Sequence, residues 1–187
     1  MPVVRSGFRL WSPRHECGIS SAKKIKEKEK KTMEARLHQQ LREQFQRAFD
    51  ELLEQKLNEK DFEWVVRLYV EIRDRLCNLV PRRTDLHAEL HEHMDDVIFK
   101  QMLENDAYQP SDLVALITFL FKWMAKLQAP VRDAPTEAKK QALFVLLRKE
   151  TTTFGNFVPV FIKTIHGVME EIEGDIQQLK EQLAQKK

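Results

Sequence analysis

The sequence has 187 residues, of which 42% are hydrophobic and 32% are charged, with only 5 Gly and 7 Pro. This length is sufficient for one domain with a buried core. Few turn formers and many residues that lose little rotamer freedom in a helix favour long helices joined by short connections. Two cysteines, Cys17 and Cys77, are too few and too far apart for a disulfide framework, which favours the cytoplasm or nucleus.

The net charge of +2 is divided unevenly along the chain. Residues 1–33 contain nine basic and three acidic side chains, a net +6, whereas the remainder contains 22 basic and 26 acidic ones, a net −4. Phosphate affinity requires a concentrated basic face, so the mildly acidic body is not expected to bind nucleic acid.

Residues 1–33 are predicted to be a disordered basic leader. Residues 1–22 show no sustained apolar periodicity and contain helix breakers. Three arginines and several serines give this part a weak likeness to an organelle transit peptide. Lys23–Lys31 is either a solvated helix start or a signal for nuclear import or anionic surfaces. We expect a cytoplasmic protein.

From residue 34 to residue 187, apolar residues recur at spacings of three and four. This pattern predicts an all-α domain, a bundle of about six antiparallel helices. The predicted helices cover about 34–57, 62–79, 85–104, 113–127, 136–150 and from 156 onward. Pro81 ends the second helix, and Pro130 and Pro135 bracket the joint before the fifth.

The segment Leu113–Leu127 is apolar on nearly all sides, so we expect it at the centre of the bundle. A membrane span needs about 20 apolar residues. This segment has only 15 residues and includes Lys122 and Lys126, so stable membrane insertion is not expected.

The apolar stripe of the last helix narrows beyond Ile172. Beyond about Gly174, this helix either projects as a partner-binding helix that carries Ile176, Leu179 and Leu183, or is a solvated end.

Three histidines form the only metal-like cluster in the sequence. His87 and His91 are four residues apart and share a helical face, which suits zinc. His93 lies about 200° around the helix from His91 and cannot join the same site. With two ligands and no cysteine nearby, we predict no metal and no other cofactor, and we favour a solvated, pH-sensitive face.

No motif for catalysis is visible, because glycine-rich phosphate loops, nucleophile elbows and the HExxH pattern are all missing from the sequence. We therefore predict a non-enzyme that binds other proteins. Trp64 and Trp123 each lie off the main stripe of their helix, where they are either core residues or anchors for a partner. A metal-dependent helical enzyme and a peripheral membrane adaptor that uses the basic leader are the alternatives.

Several short segments are similar to a known family. Met124-Ala125 followed by the heptapeptide Leu127–Asp133 resembles the "MA-L-CAPVRD" signature of the t-complex protein 11 family, with Gln128 in place of the family's cysteine. Four tripeptides show a weaker similarity to short segments of the family. They are Ala48-Phe49-Asp50 for the family's "FWD", Val70-Glu71-Ile72 for its "LEI", Val80-Pro81-Arg82 for its "LPR" and Phe99-Lys100-Gln101 for its "LKQ". The likeness covers roughly Leu41 to Gln178 and resembles the N-terminal half of the family domain.

The resemblance implies a non-catalytic regulator linked to cyclic-AMP and protein kinase A signalling, in animals in sperm capacitation and motility. It supplies no catalytic residues and no partner identity.

The signature residues have a physical interpretation of their own. They are Ala129, Pro130, Val131, Arg132 and Asp133. Pro130 ends the central helix, Arg132 is expected to reach back to that helix's free carbonyls, and Asp133 is expected to accept N–H groups of the next helix. These contacts would fix the angle between two helices, with a partner contact as the alternative.

Overall fold

The computed structural model describes residues 19–185, with side chains described from residue 27 onward. The first 18 residues of the predicted leader and residues 186–187 lie outside the described residues. The described chain contains α-helices and one short 3₁₀ helix and no strand, which confirms the all-α prediction. The helices are α1 (Ile19–Asn58), α2 (Glu63–Leu79), α3 (Thr84–His93), α4 (Asp96–Glu104), α5 (Pro110–Leu127), η1 (Pro130–Arg132), α6 (Asp133–Leu147) and α7 (Phe154–Gln185).

The chain divides into two units, residues 1–47 and residues 48–187. The described part of the first unit is the N-terminal part of α1. The second unit contains the end of α1 and all the other helices.

Helix α1 begins at Ile19, well before the predicted start near residue 34, so the predicted disordered leader is helical from residue 19 onward. Alternating Lys and Glu side chains support this extension. Lys31 Nζ lies 3.3 Å from Glu27 Oε1, and Lys30 Nζ lies 3.8 Å from Glu34 Oε1. Each pair is four residues apart, a spacing that stabilises a helix by about 0.2–0.5 kcal/mol.

The core of the second unit is formed chiefly by α2, α5 and α7. Helix α7 contacts α2, α5 and α6, and α5 contacts α6 and α7. The predicted central segment, Leu113–Leu127 of α5, therefore shares the central position in the second unit with α7. The largest side chains with less than 2% exposure include Trp123, Phe157, Leu53, Ile72, Leu76, Leu90, Met94, Ile117, Leu120, Met124, Leu143 and Ile165. Burying each such side chain contributes about 1.5–3 kcal/mol.

The predicted third helix is divided in two at Met94 and Asp95. The Asp95 carboxylate accepts hydrogen bonds from the backbone N–H groups of Val97 and Ile98, both at 2.9 Å, and so begins α4 as an N-cap. The buried Arg73 donates to the Met94 carbonyl at 2.9 Å. Val97 and Ile98, in the first turn of α4, are 60% and 56% exposed.

Candidate interaction surfaces

Arg132 of the predicted joint connects the start of α6 to α7. Its Nε donates to Asp175 Oδ2 at 2.5 Å and its Nη2 to Asp175 Oδ1 at 2.8 Å, and its Nη1 lies 3.4 Å from Glu171 Oε2. The hydrogen bond from Arg132 holds the pKa of the Asp175 carboxyl below its ordinary value. The expected contact with the free carbonyls of α5 is wrong, because the forked guanidinium is matched instead by a carboxylate.

The turn itself is held by Gln128, where the family signature has cysteine. Gln128 Nε2 donates to Asp133 Oδ1 at 2.7 Å, and Gln128 Oε1 accepts from the hydroxyl of Thr136 at 2.7 Å. Asp133 is thus occupied by an amide side chain and does not cap α6 as expected. Thr136 is only 3% exposed, so Gln128 satisfies a buried hydroxyl.

The remaining signature residues shape the turn without forming a pocket. Pro130 begins η1, with Ala129 as the preceding extended residue. Val131 is 83% exposed and makes this corner locally apolar. Both Pro130 and Val131 are exposed.

A second connection, which the sequence did not reveal, joins α2 to α7. Arg75 Nη2 donates to both carboxylate oxygens of Glu173 at 3.0 and 2.9 Å, and Arg75 Nη1 lies 2.5 Å from His166 Nδ1. Burial lowers the pKa of His166 below its ordinary value; the charge of Glu71 opposes this shift, and that of Arg75 adds to it. His166 Nε2 is buried without a hydrogen-bond partner among the described residues.

Two of the three histidines in the metal-like cluster, His87 and His93, make other contacts. His87 Nε2 lies 3.1 Å from the Cys77 carbonyl and 3.0 Å from the Val80 carbonyl, at the end of α2. His93 stacks on Phe119 with ring centroids 4.6 Å apart. Among residues 27–185, no group of three or more His, Cys, Asp or Glu side chains is arranged to hold a metal ion.

The two candidate tryptophan anchors differ in exposure. Trp123 is 1% exposed and lies in the core, beneath Lys126 Nζ at 5.2 Å from its ring centroid, so its proposed surface role is wrong. Trp64 is half-buried and stacks on Phe49 with centroids 6.2 Å apart. Only Trp64 remains a candidate anchor for a partner.

An exposed apolar stripe runs along the part of α1 that belongs to the first unit. We call its four residues the α1 stripe; they are Met33, Leu37, Leu41 and Phe45, with exposures of 73%, 56%, 42% and 73%. Among the described residues of α1, Leu53 and Leu57, further along the helix, are buried. A spacing of four residues places successive side chains on neighbouring positions of one helix face.

The end of α7 carries a second, shorter apolar stripe. Ile172 is fully buried and Ile176 is partly buried against the core, whereas Leu179 and Leu183 are 56% and 58% exposed. The exposure increases beyond about Gly174, as the thinning of the apolar pattern indicated.

A groove in the second unit is lined by apolar side chains and by three carboxylates, which we call its floor and its rim. We call this site the acidic groove; its volume is about 260 Å³. It is lined by Tyr69, Glu92, His93, Asp95, Ile98, Phe99, Met102, Tyr108, Asp112, Ala115, Leu116 and Phe119. The rim carries three carboxylates and no lysine or arginine, which favours a positively charged ligand.

A second cleft, of about 450 Å³, lies near the N-termini of α5 and α7. Its lining includes an ion pair between Lys60 Nζ and Asp106 Oδ2 at 2.7 Å. Both residues have positive φ, 60° and 52°, in turns that end α1 and α4. Burial raises the pKa of Tyr108, which lines the cleft, above its ordinary value. A nucleophile with an adjacent base is not found among the described residues that line it.

No described helix is both long and apolar enough to cross a bilayer. The fold and these surfaces define an all-α bundle with exposed apolar and charged helix faces.

Comparison with protein families then identifies the group to which the chain belongs. The model of the family described as T-complex protein 11 matches residues 14–178, and the chain is therefore a member of this family. This confirms the resemblance seen in the signature segments. No curated protein and no solved structure matched the chain.

Proposed function

We propose that this chain is a non-catalytic, regulatory protein-interaction domain that docks the α1 stripe in a groove of another protein chain. The observation that carries this proposal is the exposure of Leu37 and Phe45, at 56% and 73%, in a continuous row with two further apolar side chains. A row of apolar residues at helical spacing is the pattern by which one helix docks in the groove of another protein. Trp64, Ile176, Leu179 and Leu183 are secondary candidates for partner contacts.

Family membership supports a regulatory role of the T-complex protein 11 kind. By resemblance, we infer action in the cytoplasm on cyclic-AMP and protein kinase A signalling, and in animals a role in sperm capacitation and motility. The ion pairs of Arg132 and Arg75 support a stable second unit, since both tie α7 to other parts of that unit.

The alternative of a metal-dependent helical enzyme receives no support from the histidines. His87 is directed at two backbone carbonyls, and residues 27–185 contain no group of three or more His, Cys, Asp or Glu side chains arranged to hold a metal ion.

The test is a paired substitution on α1. Leu37→Asp/Phe45→Asp places two charges in the α1 stripe, whereas Ala35→Asp/Gln39→Asp places two on a different face of the same helix. All four side chains are exposed, so both variants are expected to melt like the unchanged chain. Each protein would be expressed in the native cell type and compared for protein capture and for protein kinase A activity.

We expect the stripe variant to lose its captured partners and its effect on kinase activity, while the control variant keeps both. Equal binding by the two variants would contradict the proposal. Binding to anionic vesicles, lost in the stripe variant while protein capture persists, would instead favour the membrane adaptor.

A further inference from the structure

We infer that the α1 stripe of one copy of this chain docks in the acidic groove of a second copy. This inference rests on the proposed use of the α1 stripe as a docking surface and names its occupant. The two surfaces belong to different units of the chain and are complementary in both polarity and charge.

The margins of the α1 stripe carry three exposed arginines and one exposed glutamate, Glu43. Residues 27–47 contain six basic and four acidic side chains. Lys30 and Lys31 are paired with glutamates on α1, but Arg36, Arg42 and Arg47 are exposed and form no ion pair within the described residues. At about 100° per residue, Arg36 and Arg47 follow one margin of the stripe and Arg42 follows the other.

The acidic groove offers the matching surface. Its lining includes the carboxylates of Glu92, Asp95 and Asp112. Glu92 at the rim is exposed and makes no hydrogen bond or ion pair within the described residues, so it is available to an incoming guanidinium. Ile98 on the floor is 56% exposed, and Met102 and Phe119 lie beside it.

Charge and shape favour the acidic groove over two other binding surfaces for the α1 stripe, a second α1 stripe and a lipid bilayer. Two α1 stripes placed together would bring unpaired arginines against each other, which costs free energy. A bilayer surface binds helices with a broad apolar face, whereas the α1 stripe supplies one apolar side chain per turn. A groove with carboxylates on its rim and apolar side chains on its floor accommodates both features of the stripe.

The experiment is a charge exchange between two full-length variants, followed by sedimentation across the micromolar range. The donor variant is Arg36→Glu/Arg42→Glu, and the acceptor variant is Glu92→Arg. Asp95 and Asp112 are left unchanged because each caps a helix. Matched controls are Arg82→Glu/Lys149→Glu and Glu150→Arg, which reverse the same number of exposed charges away from both surfaces.

The unchanged chain and both controls are expected to self-associate, more weakly as salt rises. Each variant alone is expected to self-associate at least about tenfold more weakly. An equimolar mixture of donor and acceptor variants is expected to associate as tightly as the unchanged chain, because every contact then joins opposite charges. A mixture of the donor variant with the unchanged chain should remain weaker.

Three results would overturn the inference. The first is an unchanged chain that stays monomeric across the whole concentration range. The second is a mixture of the donor and acceptor variants that does not recover association. The third is full recovery of association when the donor variant is mixed with the unchanged chain, which would indicate pairing of α1 with α1. If the chain is monomeric but the stripe variant still loses its captured partners, the proposed function stands and only the occupant is wrong. If the charge exchange succeeds and no partner depends on the stripe, the proposed function fails while self-association stands.

Discussion

Arg132 and Asp175 are joined by two parallel hydrogen bonds, at 2.5 and 2.8 Å, although 43 residues separate them in sequence. The pair connects the joint before α6 to the distal part of α7. Glu171 extends it, because this carboxylate also accepts from Lys139 Nζ at 2.7 Å. Two helices are thus fixed to each other by a network rather than by one ion pair, and networks hold their geometry better than isolated pairs.

Arg132→Ala is expected to lower the melting temperature by several degrees, because it removes both hydrogen bonds to Asp175 and the contact with Glu171. Circular dichroism would follow the melt. In a double-mutant cycle, Asp175→Ala should cost less in the Arg132→Ala background than alone. Arg82→Ala, at an exposed arginine without a side-chain contact within the described residues, is the control. Additive effects of the two substitutions would show that the pair does not stabilise the fold.

Trp123→Ala is expected to lower the free energy of unfolding by about 3–5 kcal/mol, the range for a large aromatic side chain removed from a core. Trp64→Ala should cost clearly less, because Trp64 is only half-buried. Denaturant unfolding of both variants would measure the difference. A small loss at Trp123 would contradict its place in the core.

The stability of the domain should fall as the pH decreases from 7 toward 5. In the folded state His166 has a pKa below its ordinary value, mainly because burial disfavours the charged form. The unfolded state therefore binds more protons between the folded pKa and about 6.5, and stability rises with pH in that window. This contribution is present above about pH 6.5 and is lost as the pH falls through the folded pKa.

Melting temperatures at several pH values would test this dependence. His166→Gln should show a shallower decline than the unchanged chain between pH 7 and pH 5. Asp175 and Asp96, whose pKa values are lowered, contribute only at more acidic pH. Parallel declines in the two proteins would contradict the assignment to His166.

Gly155→Ala should destabilise the first turn of α7. A Cβ at this position would lie 2.7 Å from Asn58 Oδ1 at the end of α1. The Asn58 side chain must therefore move, and Asn58→Ala in the same chain should recover the lost melting temperature. Thermal melts of both single variants and the double variant decide this. Equal melting of Gly155→Ala with and without Asn58→Ala would show that the close approach is not the cause.

The helix pattern was predictable because its signals are local. Pro81 and Pro130 mark true helix ends, and the apolar spacing located the core of α2 and α7. The sequence predicted one helix across Asp95 because apolar residues continue on both sides of it. Asp95 is nevertheless itself an N-cap signal for α4.

The site contacts were less accessible to sequence reasoning because they depend on tertiary neighbours. Nothing local to Arg132 distinguishes the Asp175 carboxylate from the carbonyls of α5 as its partner. Trp123 lies off the main stripe of α5, but α5 contacts both α6 and α7, so residues outside that stripe are also buried. The α1 stripe is the opposite case, because its apolar residues are regularly spaced but exposed. Regular apolar spacing does not reveal whether the same chain supplies a helix that covers it.

The most direct measurement for the central claim is photo-crosslinking from α1 in the native cell type. A photoreactive residue would replace Leu41 in the α1 stripe or, as a control, Gln39 on a different face of the same helix. Adducts with another protein chain, either a partner or a second copy, are expected from position 41 and not from position 39. Adducts at neither position, or equally at both, would contradict a docking role for the α1 stripe.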